Sequence, residues 1–277
     1  MGRKRKYLNT VPYVGGKYYM LKIILKLIPE HEIYVEPFGG SAKVLINKPP
    51  SKVEIYNDLD KRIANLFYVW AFRYNEFEKK LKRLVYSQTL FYEFYKDIQK
   101  PLKKLGNVND AVKTFYLLQL SYSSSIKSKG FPITLLSIKK RFRYLSSLER
   151  LDKIHERLKK VAILNTDFRN LLKLYGDRED TFFYLDPPYY GINEYYSIKF
   201  TKQDHIDLLE MIKNMKAKWL LSNYPNELYD EYLKDFYRIE VEVSKHSAST
   251  GNNPKPKATE VLWANYDIEK MLKNSQD

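Results

Sequence analysis

The sequence predicts an α/β fold, a mostly parallel sheet of seven strands covered by helices, with a helical insertion after the second strand. Two observations predict it. Short apolar segments alternate with segments of helical periodicity, as in parallel sheets whose crossover helices cover both faces. The stretch from about residue 62 to 160 interrupts this alternation, because it is helical and basic. A chain of 277 residues that is 44% hydrophobic suffices for such a core.

The predicted strands are short, rich in β-branched and aromatic residues, and bounded by turn residues. They are Ile33–Pro37, Val53–Asn57, Val161–Leu164, Thr181–Asp186, Ala217–Asn223, Tyr237–Val243 and Glu260–Ala264. The predicted helices are Lys17–Ile28, Asp60–Leu81, Asn109–Leu120, Leu145–Lys159 and Gln203–Asn214. We therefore expect one domain formed by residues 1–61 and 161–277, with residues 62–160 inserted into it.

The composition excludes several classes of site. The chain has no cysteine, which excludes disulfides, thiolate metal sites and cysteine nucleophiles. Its four histidines are scattered without ligand spacing, so no metal site is expected. No apolar run approaches the roughly 18 residues of a membrane span, and the basic start of the chain lacks the apolar segment of a secretory signal. We expect a cytoplasmic protein that does not enter a membrane.

The net charge of +15 is concentrated in one internal block. Residues 73–165 hold 21 lysines and arginines against 8 acidic residues, a net of +13, whereas the rest of the chain has a net of +2. Residues 111–148 contain no acidic residue at all. Such a block indicates a polyanion-binding surface, most simply for nucleic acid. A lysine-rich surface with no specific partner remains the alternative.

A glycine-rich turn follows the first predicted strand. Residues 34–42 read YVEPFGGSA, in which Phe38, Gly39 and Gly40 link the strand to a helix. In open α/β sheets, ligands bind beyond the carboxyl ends of the strands, where glycine allows close approach and helix N-termini offer free N–H groups. The turn is neither GxGxxG nor a P-loop, which disfavours a nucleoside triphosphate.

Asp58 falls at the carboxyl end of the second predicted strand. An acidic residue in this position commonly accepts hydrogen bonds from the ribose hydroxyls of a bound nucleoside. The alternative is an N-cap of the following helix, a role that suits Asp58 or Asp60. The turn and the acidic residue together favour a cofactor that contains a nucleoside.

Residues 182–190 read FFYLDPPYY, and the strand delivers Asp186 to the carboxyl edge of the sheet. Pro187 and Pro188 lack N–H groups, so their carbonyls and the ionised Asp186 only accept hydrogen bonds. Tyr189 adds an aromatic face. This arrangement suits a planar group with an exocyclic NH2, which donates both protons while its ring stacks on the tyrosine. The nitrogen lone pair then points towards an electrophile.

In the order of these motifs, the chain resembles the Dam-like family of DNA adenine-N6 methyltransferases. The order is YVGGK (13–17), YVEPFGGSA (34–42), YNDLD (56–60), the basic insertion, NTDF (165–168) and DPPY (186–189). The resemblance covers residues 10 to 265; FTKQDH (200–205), LLSNY (220–224) and ATEVLWAN (258–265) fit less sharply. It implies a Rossmann-like methyltransferase domain (1–61 and 161–277) with a target-recognition insertion (62–160), in a prokaryotic cell or a virus-infected host.

The resemblance also implies the reaction, a methyl transfer from S-adenosyl-methionine to adenine N6 in double-stranded DNA by a monomer that needs no metal. The residues that it assigns to the cofactor are Tyr13, Gly15, Gly16, Lys17, Glu36, Phe38, Gly39, Gly40, Asp58, Asp167, Phe168 and Asp186. Among these, Asp58 would hold the ribose, and Asp167 with Phe168 the adenine of the cofactor. Asp186, Pro187, Pro188 and Tyr189 would hold the target base, flipped out of the duplex to reach the site.

Residues of the insertion would contact the DNA, mostly at phosphates. The candidates are Ser124, Lys127, Lys129, Lys139, Lys140, Arg141 and Arg143. Family members that read GATC carry a hairpin rich in asparagine and glycine with an FNVP-type sequence. The equivalent stretch here, SSSIKSKGFPIT (123–134), keeps Gly130 and Phe131 but not the asparagines. The recognised sequence therefore cannot be carried over.

Four alternatives to this reaction differ in how far the sequence excludes them. Cytosine-C5 methylation is excluded, because it requires a cysteine thiolate. Cytosine-N4 methylation uses the same amine geometry, and Asp186 favours adenine without proving it. Methylation of adenine in RNA remains open, as does the presence of a partner restriction enzyme. A non-catalytic nucleic-acid-binding protein is opposed by the intact DPPY motif, glycine turn and Asp58.

Overall fold

The computed structural model describes residues 7–13, 17, 20–121, 130–131, 135–191, 198–244 and 257–274. Seven strands form one sheet in the order β3-β2-β1-β4-β5-β7-β6. The strands are β1 Ile33–Glu36, β2 Val53–Asn57, β3 Ala162–Leu164, β4 Thr181–Leu185, β5 Lys218–Asn223, β6 Tyr237–Ser244 and β7 Lys257–Ala264. All seven predicted strands are present, so the predicted α/β fold is confirmed.

Strands β1, β4 and β5 are parallel, with Val35 opposite Phe183 and Phe183 opposite Trp219. Their carboxyl ends therefore lie at one edge of the sheet, the edge at which ligands bind in open α/β folds. Strand β7 lies antiparallel between β5 and β6, so its amino end lies at this same edge. The four strands β1, β4, β5 and β7 are largely buried, and Trp219 and Trp263 fill the core around them.

The helices fall between the strands and at both ends of the chain. They are α1 Leu21–Leu27, α2 Lys43–Asn47, α3 Lys61–Phe72, α4 Tyr74–Leu81, α5 Gln88–Asp97, α6 Val108–Leu120, α7 Leu135–Leu148, α8 Leu151–Leu158, α9 Phe168–Tyr175, α10 Lys202–Lys213, α11 Glu227–Tyr232 and α12 Ile268–Lys273. Helices α3 to α8 occupy the chain between β2 and β3. No described helix is long and apolar enough to cross a membrane.

Two predicted helices are wrong in their continuity. The predicted helix over residues 60–81 is two helices, α3 and α4, which meet at Arg73 with a φ of −127° and a ψ of 32°. Buried residues keep the helical period through this break, from Phe67 and Trp70 to Phe77, which is why the pattern predicts one helix. The predicted helix over residues 145–159 is the end of α7 followed by α8, with a break before Leu151.

The chain packs as two compact units. The first comprises residues 1–16, 39–47 and 56–166, and the second comprises residues 17–38, 48–55 and 167–277. The first unit groups the six insertion helices with the glycine-rich turn and β3, around a core that includes Trp70, Phe77 and Phe115. The second unit holds strands β1, β4, β5, β6 and β7. The division of the chain into a catalytic domain and a target-recognition insertion stays a prediction about function.

Candidate active site

In the first unit, the turn after β1 depends on glycine at two positions. A Cβ added at Gly39 would lie 2.1 Å from the ring of Tyr56. Gly40 has a φ of +47°, in the left-handed region that favours glycine. The hydroxyl of Tyr56 donates to the carbonyl of Gly40 at 2.8 Å, and a Cβ on Gly40 would lie 3.0 Å from the ring of Tyr13. Two tyrosine rings therefore pack directly on the backbone of the turn.

Asp58 holds this turn in place through its carboxylate. Its two oxygens accept from the backbone N–H groups of Gly40 and Asp60, each at 2.8 Å. Of the two candidates for the N-cap of α3, Asp58 and Asp60, the structure shows Asp60, which accepts from the backbone N–H of Arg62 at 2.9 Å. Burial, followed by the charge of Asp60, raises the pKa of Asp58 to about 7. Asp58 thus orders the turn through both of its carboxylate oxygens.

The start of the NTDF segment reaches the same place in the first unit. The side chain of Asn165 donates to the carbonyl of Asp58 at 2.8 Å. The amide side chain of Asn57 accepts from the backbone N–H of Thr166 at 2.9 Å and donates to its carbonyl at 3.0 Å. These contacts join the start of the NTDF segment to the end of β2.

The glycine-rich turn brings together four of the predicted cofactor residues, namely Tyr13, Gly39, Gly40 and Asp58.

In the second unit, Lys17 is buried between two carboxylates. Its side chain is 2% exposed, and Nζ lies 2.8 Å from Oδ1 of Asp186 and 3.4 Å from Oε2 of Glu260. Nζ also donates to the hydroxyl of Tyr189 and lies 4.2 Å from the centre of that ring. The structure thus places Lys17, predicted for the cofactor, against the DPPY motif.

Asp186 directly follows β4 and is also held from the neighbouring strand β5. The hydroxyl of Ser222 donates to Oδ1 of Asp186 at 3.0 Å, and the hydroxyl of Tyr184 lies 3.2 Å from that of Ser222. Tyr189 is buried, its hydroxyl donates to Oε2 of Glu260 at 3.0 Å, and its ring centre lies 4.4 Å from that of Tyr224. The DPPY motif therefore has partners on two other strands, β5 and β7.

One ammonium and two carboxylates share this buried cluster. Burial raises the pKa of Asp186, and the adjacent Lys17 opposes that rise. Burial by itself would lower the pKa of Lys17, but Asp186 and Glu260 raise it overall. Lys17 is therefore protonated at neutral pH, and Asp186 takes up a proton more readily than an exposed carboxylate.

Three phenylalanines form an aromatic cluster elsewhere in the second unit. The ring centre of Phe38 lies 5.3 Å from that of Phe168 and 5.6 Å from that of Phe200. Phe168 and Phe200 are buried, whereas Phe38 is half-buried. Phe38 and Phe168 were both predicted for the cofactor, so the structure brings these two together and adds Phe200.

Asp167 caps the helix that starts beside this cluster. It is the N-cap of α9 and accepts from the backbone N–H of Arg169 at 2.9 Å. The guanidinium of Arg169 pairs with Asp167 at 3.0 Å and with Asp204 and Asp207 at 2.6 Å each. The carboxylate of Asp167 therefore both caps α9 and pairs with Arg169. The Asp167 side chain is 41% exposed.

The remaining predicted cofactor residues differ in what the structure shows of them. Glu36 ends β1, is buried, and accepts from the hydroxyl of Tyr34 at 2.9 Å. Gly15 and Gly16 lie outside the described residues. Pro187 and Pro188 lead from Asp186 to Tyr189, with Pro187 buried and Pro188 half-buried.

The basic residues of α7 divide into two pairs. Lys140 donates to the carbonyl of Ser121, and Arg143 donates to that of Gln119 at 2.7 Å, so both contact the C-terminal end of α6. Burial, followed by the charge of Arg143, lowers the pKa of Lys140 to about 8. Lys139 and Arg141 are exposed. The other predicted DNA contacts, Ser124, Lys127 and Lys129, lie outside the described residues.

The exposed side of α7 has an apolar centre. Phe142 is 66% exposed and Leu145 is 44% exposed, and at 100° per residue they lie between the directions of Lys139 and Arg141. Helix α7 therefore presents an apolar ridge flanked by two cations.

A comparison with known protein families decides the identity of the chain. The family described as D12 class N6 adenine-specific DNA methyltransferase matches residues 13–246. The chain belongs to this family. It is therefore an enzyme that methylates adenine N6 in DNA, and the resemblance drawn from its motifs is confirmed.

Individual relatives agree with this family assignment. The chain is 24% identical over 268 residues to the type II methyltransferase M.CviBI of Paramecium bursaria Chlorella virus NC1A, which covers 92% of this chain and 98% of that protein. It is 24% identical to the DNA adenine methylase of Escherichia coli (strain K12), over 95% of each chain. It is also 24% identical to the modification methylase StsI of Streptococcus sanguinis, over 96% of this chain and 44% of that protein.

Sequence reasoning assigned no role to three residues that this adenine methyltransferase brings to its site regions. Ser222 and Glu260 contact the DPPY motif, and Phe200 completes the phenylalanine cluster. Each lies in a segment that fitted family regions only loosely. A positional signal was present for Ser222, which stands near the carboxyl end of a predicted strand. Glu260 gave no such signal, because its strand is antiparallel and reaches the edge with its amino end.

Proposed function

We propose that this adenine methyltransferase uses S-adenosyl-methionine and acts on an adenine flipped out of a specific sequence in double-stranded DNA. The observation that carries the proposal is the buried cluster around Asp186, which holds a carboxylate and a rigid Pro-Pro turn at the carboxyl edge of the sheet. An exocyclic amine that donates both of its protons matches this set of acceptors. In a duplex, adenine donates one of these protons to its partner base. It can donate both to the protein only after it has flipped out of the stack.

The residues present fit the proposed methyl donor. In the first unit, the Asp58 carboxylate accepts two hydrogen bonds from the described residues, which leaves acceptor capacity for ribose hydroxyls. In the second unit, the half-buried face of Phe38 beside Phe168 suits an adenine ring. When bound, S-adenosyl-methionine supplies an electrophilic methyl group. We assign Tyr13, Gly15, Gly16, Lys17, Glu36, Gly39, Gly40 and Asp167 to the same cofactor.

The chemistry proposed for this chain is mainly positioning. Adenine N6 donates one hydrogen bond to Asp186 and one to a carbonyl of Pro187 or Pro188, which turns its lone pair away from them. Asp186 need not be a strong base, because the amine becomes acidic only after it has been methylated. The proton then leaves to Asp186 or to water.

Tyr189 is the proposed stacking partner of the flipped adenine. Stacking of a base on an aromatic ring contributes roughly 1–3 kcal/mol, against a cost of a few kcal/mol for flipping. The ring is only 5% exposed, beneath Tyr224 and Lys17. Entry of the base therefore requires a neighbour of Tyr189 to move.

The exposed side of α7 is the proposed DNA contact of the insertion. Lys139 and Arg141 flank its apolar ridge and suit phosphate contacts on either side of a groove. Lys140 and Arg143 contact the end of α6, so we expect them to support α7 more than to bind DNA. Ser124, Lys127 and Lys129 remain proposed contacts.

One experiment tests the proposed reaction. Purified protein is incubated with S-adenosyl-methionine carrying a labelled methyl group and unmethylated duplex DNA, single-stranded DNA or RNA, and the modified base is identified by mass spectrometry. We expect 6-methyladenine in duplex DNA. The Asp186→Ala protein, prepared identically, controls for a methylase carried over from the expression host. Label in 4-methylcytosine or in RNA alone would overturn the proposal.

We also propose that the enzyme is a cytoplasmic monomer. A single chain carries both the DPPY motif and the basic insertion, so one copy holds the elements that the reaction needs. Light scattering of the protein with and without DNA would measure the mass directly, and a dimer would contradict the proposal.

A further inference from the structure

Two donors converge on one oxygen of Asp186. The hydrogen bonds that the described residues make to this carboxylate come from Lys17 at 2.8 Å and Ser222 at 3.0 Å, and both are made to Oδ1. Ser222 lies on β5, beside the end of β4, and is completely buried. Nothing in the motifs or in the proposed reaction uses this serine.

The direction of these hydrogen bonds follows from their chemistry. The hydroxyl of Ser222 has two acceptors in reach, Oδ1 of Asp186 at 3.0 Å and the carbonyl of Leu185 at 3.5 Å. Its single proton goes to Asp186, because that contact is shorter and the acceptor is charged. The hydroxyl of Tyr184, 3.2 Å from that of Ser222, then donates to the serine. Tyr184 and Ser222 thus form a buried donor chain that ends on Asp186.

We propose that Ser222 is a positioning residue for methyl transfer, which with Lys17 holds Oδ1 of Asp186 so that Oδ2 faces the target N6. This inference rests on the proposed function of Asp186 as the acceptor of the adenine amine. Each carboxylate oxygen accepts about two hydrogen bonds, so the two donors use the capacity of Oδ1. The terminal torsion of an aspartate is soft, and a second fixed donor restricts it.

Ser222 is the more rigid of the two donors. Lys17 has a flexible stem and a second acceptor, Glu260, only 3.4 Å away, so its contact with Asp186 is shared. Ser222 has one side-chain torsion and sits on a strand paired on both sides, to β4 and to β7. The serine therefore fixes the carboxylate even where Lys17 shifts towards Glu260.

The charged surroundings of Asp186 give the proposal a readout in pH. Burial raises the pKa of Asp186, and Lys17 and Ser222 oppose that rise. Among the described residues, the titratable groups that interact electrostatically with Asp186 are Lys17, Glu260, Tyr184, Tyr224 and Tyr229, and Tyr189 contacts Lys17 beside it. Without the hydrogen bond from Ser222, the pKa of Asp186 rises further. As the pH falls, Asp186 is therefore protonated, and stops accepting from N6, at a higher pH than in the wild-type enzyme.

The experiment compares Ser222→Ala with Ser222→Cys and a matched control, Tyr266→Phe. Tyr266→Phe removes a hydroxyl that donates to the carbonyl of Leu27 at 2.6 Å in the same unit, and it leaves both donors to Asp186 in place. For Ser222→Ala we expect single-turnover methylation about 10- to 100-fold slower, the effect of losing one hydrogen bond to a charged group. Affinities for S-adenosyl-methionine and duplex DNA should be unchanged, and the acidic limb of the rate profile should move to higher pH. Ser222→Cys, a weak donor, should fall between, and Tyr266→Phe should stay near wild type.

Several results would overturn the inference. A Ser222→Ala enzyme with wild-type rate, or one whose acidic limb does not move, shows that the serine does not act through Asp186. Equal losses in Ser222→Ala and Tyr266→Phe, with matching drops in melting temperature, assign the effect to a general loss of stability. If Ser222→Ala does not fold, Ser222→Cys against Tyr266→Phe decides in the same way. Failure of the wild-type enzyme to methylate adenine in DNA would instead refute the proposed function.

Discussion

The glycine turn and the Asp186 cluster are built in opposite ways. The turn is held by backbone contacts and by Asp58, eighteen residues beyond Gly40 in the chain. It packs tightly because Gly39 and Gly40 have no side chains. The Asp186 cluster is held by side chains of Lys17, Ser222 and Glu260, which are far apart in sequence. Steric change should therefore break the first, and changes of charge or hydrogen bonding should break the second.

The largest expected effect is in the Asp186 cluster. Asp186→Ala removes the acceptor of the target amine, and we expect methyl transfer to fall by about 10²- to 10³-fold or more. Binding of S-adenosyl-methionine, measured by calorimetry, should largely survive, because the proposed contacts to its ribose (Asp58) and to its adenine (Phe38 and Phe168) are unchanged. An equal loss of both would mean that Asp186 serves the cofactor instead of the target base.

The corresponding change in the turn is steric. Gly39→Ala places a Cβ 2.1 Å from the ring of Tyr56, and we expect loss of cofactor binding and a cost of about 1–3 kcal/mol in unfolding free energy. The matched control is Ala42→Gly, since Ala42 has a φ of +51° in the same turn. That change should leave the free energy of unfolding within about 1 kcal/mol of wild type. A Gly39→Ala enzyme that binds cofactor normally would contradict the tight packing of the turn.

Glu260→Gln separates charge from hydrogen bonding in the Asp186 cluster. Glutamine still accepts from the hydroxyl of Tyr189 but no longer pairs with Lys17, and we expect a rate about 3- to 10-fold lower. Because Glu260 raises the pKa of Asp186, its neutralisation keeps Asp186 ionised to lower pH. The acidic limb of the rate profile should then move down, opposite to the shift expected for Ser222→Ala. Shifts of the same sign in both variants would refute this account of the electrostatics.

The smallest expected effect extends the comparison to α7. Lys139→Ala with Arg141→Ala should weaken DNA binding and reduce the slope of log affinity against log salt by about 2. Lys140→Ala with Arg143→Ala is the matched control of equal charge. It should lower the melting temperature, because the end of α6 loses two donors, and change the salt slope less. The reverse outcome would place the DNA on the other side of the helix.

Particular residues show how far the sequence could predict this enzyme. The strands were predictable because each is a short apolar run between turn residues, and Asp186 was predictable because it ends such a strand before two prolines. The break at Arg73 was not, because buried residues keep the helical period on both sides of it. Lys17 was recognised as a site residue, but its contact with Asp186, across 169 positions of the chain, leaves no trace in periodicity.

The sequence by itself determined the strand order along the chain, the glycine turn, the DPPY motif and the basic character of the insertion. These depend on local composition and on neighbours within a few residues. The tertiary structure decided which oxygen of Asp186 is held, which of Asp58 and Asp60 caps α3, and which cations of α7 face solvent. Those outcomes depend on contacts between distant segments, because burial and hydrogen-bond partners are set only when the strands and helices pack.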